Sequence, residues 1–236
     1  MVDLHKAVHQ TIQVNELKEC YFRPWFYMVG PLSLNHDAWR PAVGIAVWEW
    51  GPYLGEEAKD AGVRMAVSSF TRHHPNVMMT KAKISGNYVN STLAKTVAVR
   101  SGFDEAIMLD PDGYVAECTG ENLFLVRDGI IYTPPRTTIL EGITRDAVIT
   151  LAQDMGITVV EEPISRDQLY IADEVFVCGT ATEVVHVREV DYRVIGEGGK
   201  GPVAAALQDA FFKTVRGEGA RALEWLEFVD ETVYAV

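Results

Sequence analysis

A chain of 236 residues with 48% hydrophobic and 23% charged residues has a globular composition, long enough for one large domain or two unequal ones. Its net charge of −12 argues against a polyanionic partner such as nucleic acid, but leaves room for a small anion held by backbone amides and a few local cations. Three widely separated cysteines, Cys20, Cys118 and Cys178, indicate no disulfide framework, residues 1–6 lack the apolar core of a signal peptide, and no apolar run approaches membrane-spanning length, so a reducing cytoplasm is the expected location.

In chain order, residues 4–17 carry apolar side chains at 4, 7, 8, 12 and 14 and read as a helix. An aromatic-rich strand over 20–29 ends at Gly30-Pro31, and a second apolar strand follows at 42–48. Turn chemistry at Trp50-Gly51-Pro52-Tyr53 marks a linker between a small N-terminal piece and a larger body. The body opens with a strand over 63–70 and a polar loop through His73-His74-Pro75-Asn76, then a helix over 87–100 closed by Ser101-Gly102. Short strands at 105–109, 114–118, 123–126 and 130–132 are punctuated by Pro111-Asp112-Gly113 and Arg127-Asp128-Gly129, which are hairpin signals. A helix over 142–155, strands at 158–162, 174–178 and 184–190, and a helix over 202–215 complete an α+β, or mixed α/β, pattern without repeats.

Three segments carry chemistry. Lys83, in the loop before the helix at 87, has small neighbours that allow its amine to sit in a pocket, where desolvation would make it a nucleophile for carbonyls; taken alone, the segment reads more often as a solvated turn. Gly142-Ile143-Thr144 opens a helix whose free amides and dipole suit an anion, with Thr144 adding a hydroxyl, and Gly179-Thr180-Ala181 could bring further donors; a plain capped helix is the commoner case. Glu117 ends an apolar strand, where a carboxylate requires a partner, either a protonated ring nitrogen or an Arg or Lys. The run 196–201 hints at a phosphate loop, but Gly201 stands where Ser or Thr is required, and His73-His74 lacks the spacing of a metal site, so no metal is expected.

Together and in this order, these segments resemble the class IV aminotransferases, and the branched-chain amino acid aminotransferases in particular. The resemblance runs from Tyr21-Phe22-Arg23-Pro24 to Gly201-Pro202-Val203. It is most specific at Lys83 with Gly86-Asn87-Tyr88, Glu117 with Gly120-Glu121-Asn122-Leu123-Phe124, Gly142-Ile143-Thr144-Arg145-Asp146, and Ala172-Asp173-Glu174-Val175-Phe176 with Gly179-Thr180-Ala181. It implies a fold-type IV enzyme of pyridoxal 5′-phosphate (PLP). Residues 1–46 would be the C-terminal part of a small α/β domain, 47–55 the linker, and 56–236 a large domain of short strands in a barrel-like arrangement with surrounding helices. It further implies that Lys83 forms the Schiff base and shuttles a proton, that Tyr88 contacts the ring oxygen, and that Glu117 pairs with the ring nitrogen. Leu140 would pack on the ring face and Ile143, Thr144 and Thr180 would cradle the phosphate. Tyr21, Arg23, Trp50, Tyr53 and Ala181 would line the substrate pocket.

The implied reaction is transamination of Leu, Ile or Val with 2-oxoglutarate by a homodimer or higher homo-oligomer acting on small molecules. A relative acting on D-amino acids or as an aminodeoxychorismate lyase is the nearest alternative. The resemblance also implies a stretch upstream of the first helix, carrying half of the small domain and an arginine that grips the phosphate. The chain as it stands begins at Met1 without a match to that arginine, so the expectation is PLP binding weakened by about ten- to hundred-fold and little transaminase activity, or a catalytically weak form that keeps the fold.

Overall fold

The computed structural model describes residues 4–55 and 57–229, which divide by their contacts into two units. The smaller takes in 4–51 and 227–229. In it, helix α1 (Leu4–Val14) is followed by strands β1 (Tyr21–Val29) and β2 (Arg40–Trp48), paired antiparallel from Tyr21↔Trp48 to Val29↔Arg40. The helix ends earlier than its apolar stripe suggests, because Glu16 adopts a left-handed conformation at φ 56 that breaks the turn. Sequence reasoning placed 227–229 with the large body; their contacts group them here, with Glu227 accepting from His5 Nδ1 at 2.5 Å.

The larger unit runs from 52 to 226. Its elements are α2 (Ala58–Ala61), β3 (Val63–Val67), α3 (Val89–Arg100), β4 (Glu105–Leu109), β5 (Val115–Cys118), β6 (Asn122–Arg127) and β7 (Ile130–Thr133). Next come α4 (Ile143–Asp154), β8 (Val159–Glu161), α5 (Arg166–Tyr170), β9 (Glu174–Gly179), β10 (Glu183–Val190), β11 (Arg193–Val194), α6 (Pro202–Val215) and α7 (Ala222–Trp225). Among the described residues, nine strands join into one curled sheet in the order β5-β4-β3-β10-β9-β6-β7-β8, with β11 on β10. β3 runs parallel to both its neighbours and β7 parallel to β8, while the other pairs are antiparallel. This is an α+β architecture, as the resemblance implies. The expected Asp128-Gly129 hairpin is present, with φ 51 and φ 75 at the two turn residues, the left-handed pair that a tight right-twisted hairpin requires.

The central strands are buried on both faces, yet the two-residue period of a strand still sorts their side chains. On one face Leu123, Leu125, Val175 and Val177 join Met65, Ile107 and Val187 in a common core. On the other, Phe124, Val126, Phe176 and Cys178 meet α4 and α6 through Val148, Leu151, Leu207 and Phe211. Phe124 and Phe176, direct partners across β6 and β9, stack with centroids 4.9 Å apart. These two neighbouring strands end at 122 and at 178–179, and they deliver both turns of the site to one place.

Candidate active site

Two helices of the larger unit start with glycine, and their N-termini differ. At α6 the buried Glu174 carboxylate accepts from Val203 N at 3.0 Å and Ala204 N at 2.7 Å, so an internal anion already fills that helix end. A side chain at Gly201 would overlap the same carboxyl group, which is why glycine stands there and why the glycine-rich run 196–201 makes no phosphate loop. At α4, which begins after Gly142, no side chain caps the first amides. These amides, with Thr144, line an open pocket shared with Lys83, Tyr88 and Glu117.

Lys83 lines the same pocket, its Nζ 2.6 Å from the Tyr88 hydroxyl. The loop that presents it is shaped by Asn87, buried beneath it, whose amide donates to Met79 O at 2.9 Å and Ala82 O at 3.0 Å. A single side chain thus satisfies two turn carbonyls and fixes the loop. Lys81 points elsewhere and bonds to Glu141 Oε1 at 3.0 Å, to Ile139 O at 3.3 Å and to Arg136 O. The Lys83 residue is exposed at the pocket mouth, so here it is the bond to Tyr88, and not the desolvation anticipated from its small neighbours, that orients the amine.

Glu117, at the end of β5, is 6% exposed, and its partner is one the sequence did not single out. Arg72, itself buried, places Nε 2.5 Å from Glu117 Oε1, while Oε2 accepts from Leu140 N at 3.1 Å and Asn122 Nδ2 at 3.2 Å. Burial pushes the carboxyl up to about 7, and the Arg72 charge, the Leu140 amide and the Lys83 charge pull the other way. A carboxylate offers about four lone-pair directions, and the two hydrogen bonds both fall on Oε2, so Glu117 keeps acceptor capacity for a group in the pocket. Asn122 also donates to Leu140 O at 3.0 Å, and a Cβ at Gly142 would overlap its side-chain oxygen, so Glu117, Leu140 and the start of α4 are held as one assembly. Arg72 lies on the segment after β3, and its only sequence signal is a cation in the polar loop beside His73.

Of the residues anticipated for the cofactor, Lys83, Tyr88, Glu117, Leu140, Ile143, Thr144 and Thr180 all line this pocket. Of those anticipated for substrate, Ala181 follows Thr180 and accepts from Tyr53 N at 3.3 Å. The other three, Tyr21, Arg23 and Trp50, belong to the smaller unit, where the Tyr21 and Trp50 rings meet edge-on at 4.8 Å. The family model for amino-transferase class IV matches residues 2–190. A branched-chain-amino-acid aminotransferase of Pseudomonas aeruginosa is 48% identical over 96% of this chain and 74% of its own length.

The chain belongs to the branched-chain aminotransferases of class IV.

Solved members agree. The Escherichia coli branched-chain amino acid aminotransferase superposes with a TM-score of 0.93 at 44% identity, covering 97% of this chain and 76% of that one. The enzyme of Thermobaculum terrenum, solved in its PLP form, gives a TM-score of 0.89 at 34% identity, covering 95% and 74%. Class IV aminotransferases use PLP, which makes PLP the cofactor of this enzyme.

Proposed function

We propose that this aminotransferase moves the amino group of leucine, isoleucine or valine to 2-oxoglutarate, giving a branched-chain 2-oxo acid and glutamate. One observation carries the reading: Lys83 Nζ, 2.6 Å from the Tyr88 hydroxyl, lines the same pocket as the buried Glu117 carboxyl and the uncapped start of α4. The donor set suits PLP group by group. The amides of Ile143 and Thr144, with the Thr144 and Thr180 hydroxyls, are hydrogen-bond donors for a phosphate, the free lone pair of Glu117 is an acceptor for a ring N–H, and Leu140 is an apolar surface for a ring face.

When bound, PLP supplies a carbonyl that amines attack and a ring that draws electrons from the substrate Cα. In this reading Lys83 would be the amine that holds the cofactor covalently, and its Nζ would be the base that accepts and returns the substrate proton. Tyr88 orients Lys83 and donates to the ring oxygen. Glu117, held by Arg72 and Asn122, would pair with the ring nitrogen and favour its protonated form, and Tyr53 and Ala181, joined by a backbone hydrogen bond, would lie near the substrate. For Tyr21, Arg23 and Trp50, residues of the smaller unit, a substrate-binding role rests on the resemblance alone. A homodimer is part of the proposal, supported by the exposed apolar side chains of β1, Phe26 and Met28 among them. A cytoplasmic location fits three free thiols.

The test is an amino-donor screen with 2-oxoglutarate as acceptor. Turnover with branched L-amino acids above that with D-alanine, and above elimination from aminodeoxychorismate measured without an acceptor, supports the assignment; preference for either of the latter refutes it.

A further inference from the structure

The pocket contains a second buried carboxyl group that the reading above leaves unused. Glu121, in the turn between β5 and β6, is 3% exposed and lines the pocket. Its Oε1 accepts from the Thr182 hydroxyl at 3.0 Å and its Oε2 from Gly120 N at 3.1 Å. Thr182, also buried, closes the β9–β10 turn that carries Thr180 and Ala181. The two turns touch along their backbones: a Cβ on Gly179 would stand 3.3 Å from the Gly120 carbonyl oxygen. Next to Glu121, the Thr119 hydroxyl donates to Glu105 Oε1 at 2.7 Å, and Lys95 Nζ donates to Glu105 Oε2 at 2.7 Å.

We propose that Glu121 is a positioning residue for the anion-binding face of the pocket, holding the Thr180-Ala181 turn against the 119–121 turn through its bonds to Thr182 and Gly120. The inference rests on the reading of Thr144 and Thr180 as anion donors. Without the Glu121 side chain, the buried Thr182 hydroxyl and the partly buried Gly120 amide lose their acceptor, and the turn bearing Thr180 loses its side-chain tie to the 119–121 turn.

The charge state of the group follows from its surroundings. Facing it are Glu105 from β4, Lys95 from α3, Tyr53 from the segment before α2, and the thiols of Cys118 and Cys178 from β5 and β9. Two buried carboxyl groups share one ammonium, and burial followed by the Glu105 charge pushes Glu121 up to about 8. Burial and the Glu105 charge both favour the protonated form of Glu121, which does not repel an anion bound beside it; the ionised form does. Anion affinity falls as pH rises through that value.

The experiment measures binding of pyridoxamine 5′-phosphate, which needs no bond to Lys83, at about pH 7 and about pH 9.5. It compares the wild-type enzyme with Glu121→Gln, Glu121→Ala, Thr182→Val and Thr144→Val, each checked for cooperative thermal unfolding. The wild type is expected to lose affinity roughly ten-fold between the two pH values. Glu121→Gln cannot ionise, and the Thr182 hydroxyl can accept from its amide as well as donate, so its loss should stay below about two-fold. Glu121→Ala and Thr182→Val should bind roughly five- to ten-fold more weakly at the lower pH. Wild-type affinity and pH dependence in Glu121→Ala and Thr182→Val, with only a lowered Tm, would show a purely structural role and overturn the inference. If Thr144→Val also binds like wild type, the anion-face reading itself has failed and the inference fails with it. If Thr144→Val alone weakens binding, only the role given to Glu121 is wrong.

Discussion

Glu117 and Arg72 face each other in a buried pair, and the order of effects at that pair decides how the site works. Burial of a lone carboxyl group opposes its charge, while Arg72 at 2.5 Å restores it in part. Replacing Glu117 with Gln keeps the shape and removes the charge that favours a protonated ring nitrogen. Turnover should fall by roughly 10²–10³-fold with PLP still bound, since electrostatic stabilisation of this type is worth several kcal/mol; steady-state kinetics with leucine checks it, and unchanged turnover would reduce Glu117 to a structural ion pair. Arg72→Met strands Glu117 and should destabilise the protein by about 3–5 kcal/mol, with much of the loss recovered in the Arg72→Met, Glu117→Gln double variant. Urea unfolding of the four proteins gives that cycle. Glu117 was legible in the sequence because a carboxylate at the end of an apolar strand requires a partner. Arg72 was not, because the ion pair joins the segment after β3 to β5, and only the sheet brings them together.

At the scale of elements, the turn and strand chemistry was the most readable part. Asp128-Gly129 marked its hairpin, and the apolar run of 174–178 marked a buried strand, since both required only local rules. The strand expected over 63–70 stops at Val67, because the chain there leaves the sheet and Phe70 N turns back to the Ser68 hydroxyl. The four-residue α2 and α7 are too short to show a helical period. Helix α5 carries its own sequence signal, the reciprocal capping box that Ser165 and Gln168 form at its start. The two glycine-led helices, α4 and α6, look alike in sequence and differ only through Glu174, a residue of β9. Glu174→Ala should therefore leave the buried Ala204 amide and the partly buried Val203 amide without an acceptor and cost about 1–3 kcal/mol, read as a lower urea midpoint, without abolishing PLP binding at α4. A loss of PLP binding as large as the loss of stability would contradict the separation of the two helix ends.

For the whole molecule, the two raised carboxyl groups couple stability to pH. Burial holds Glu117 near about 7 and Glu121 near about 8, above the value each would have in an unfolded chain. The native state thus keeps its protons over a range in which the unfolded chain has lost them. Stability from these groups is complete below the ordinary carboxyl range and is lost as pH rises through the two native values. The cofactor-free protein should be less stable at about pH 8.5 than at about pH 6, by on the order of 1–2 kcal/mol, and Glu121→Gln should show a smaller difference. Urea midpoints at the two pH values test this, and a stability that rises over the interval would contradict it. The contacts divide the chain between Gly51 and Pro52, and the grouping of 227–229 with the smaller unit depends on contacts across nearly the whole sequence.

The central claim is that this pocket holds PLP through Lys83. Borohydride reduction of the PLP-loaded enzyme, followed by peptide mapping, tests it most directly. The account predicts a pyridoxyl group on Lys83, beside Tyr88. A pyridoxyl group on Lys81, which bonds to Glu141 and to the carbonyls of the 136–139 loop, would contradict it.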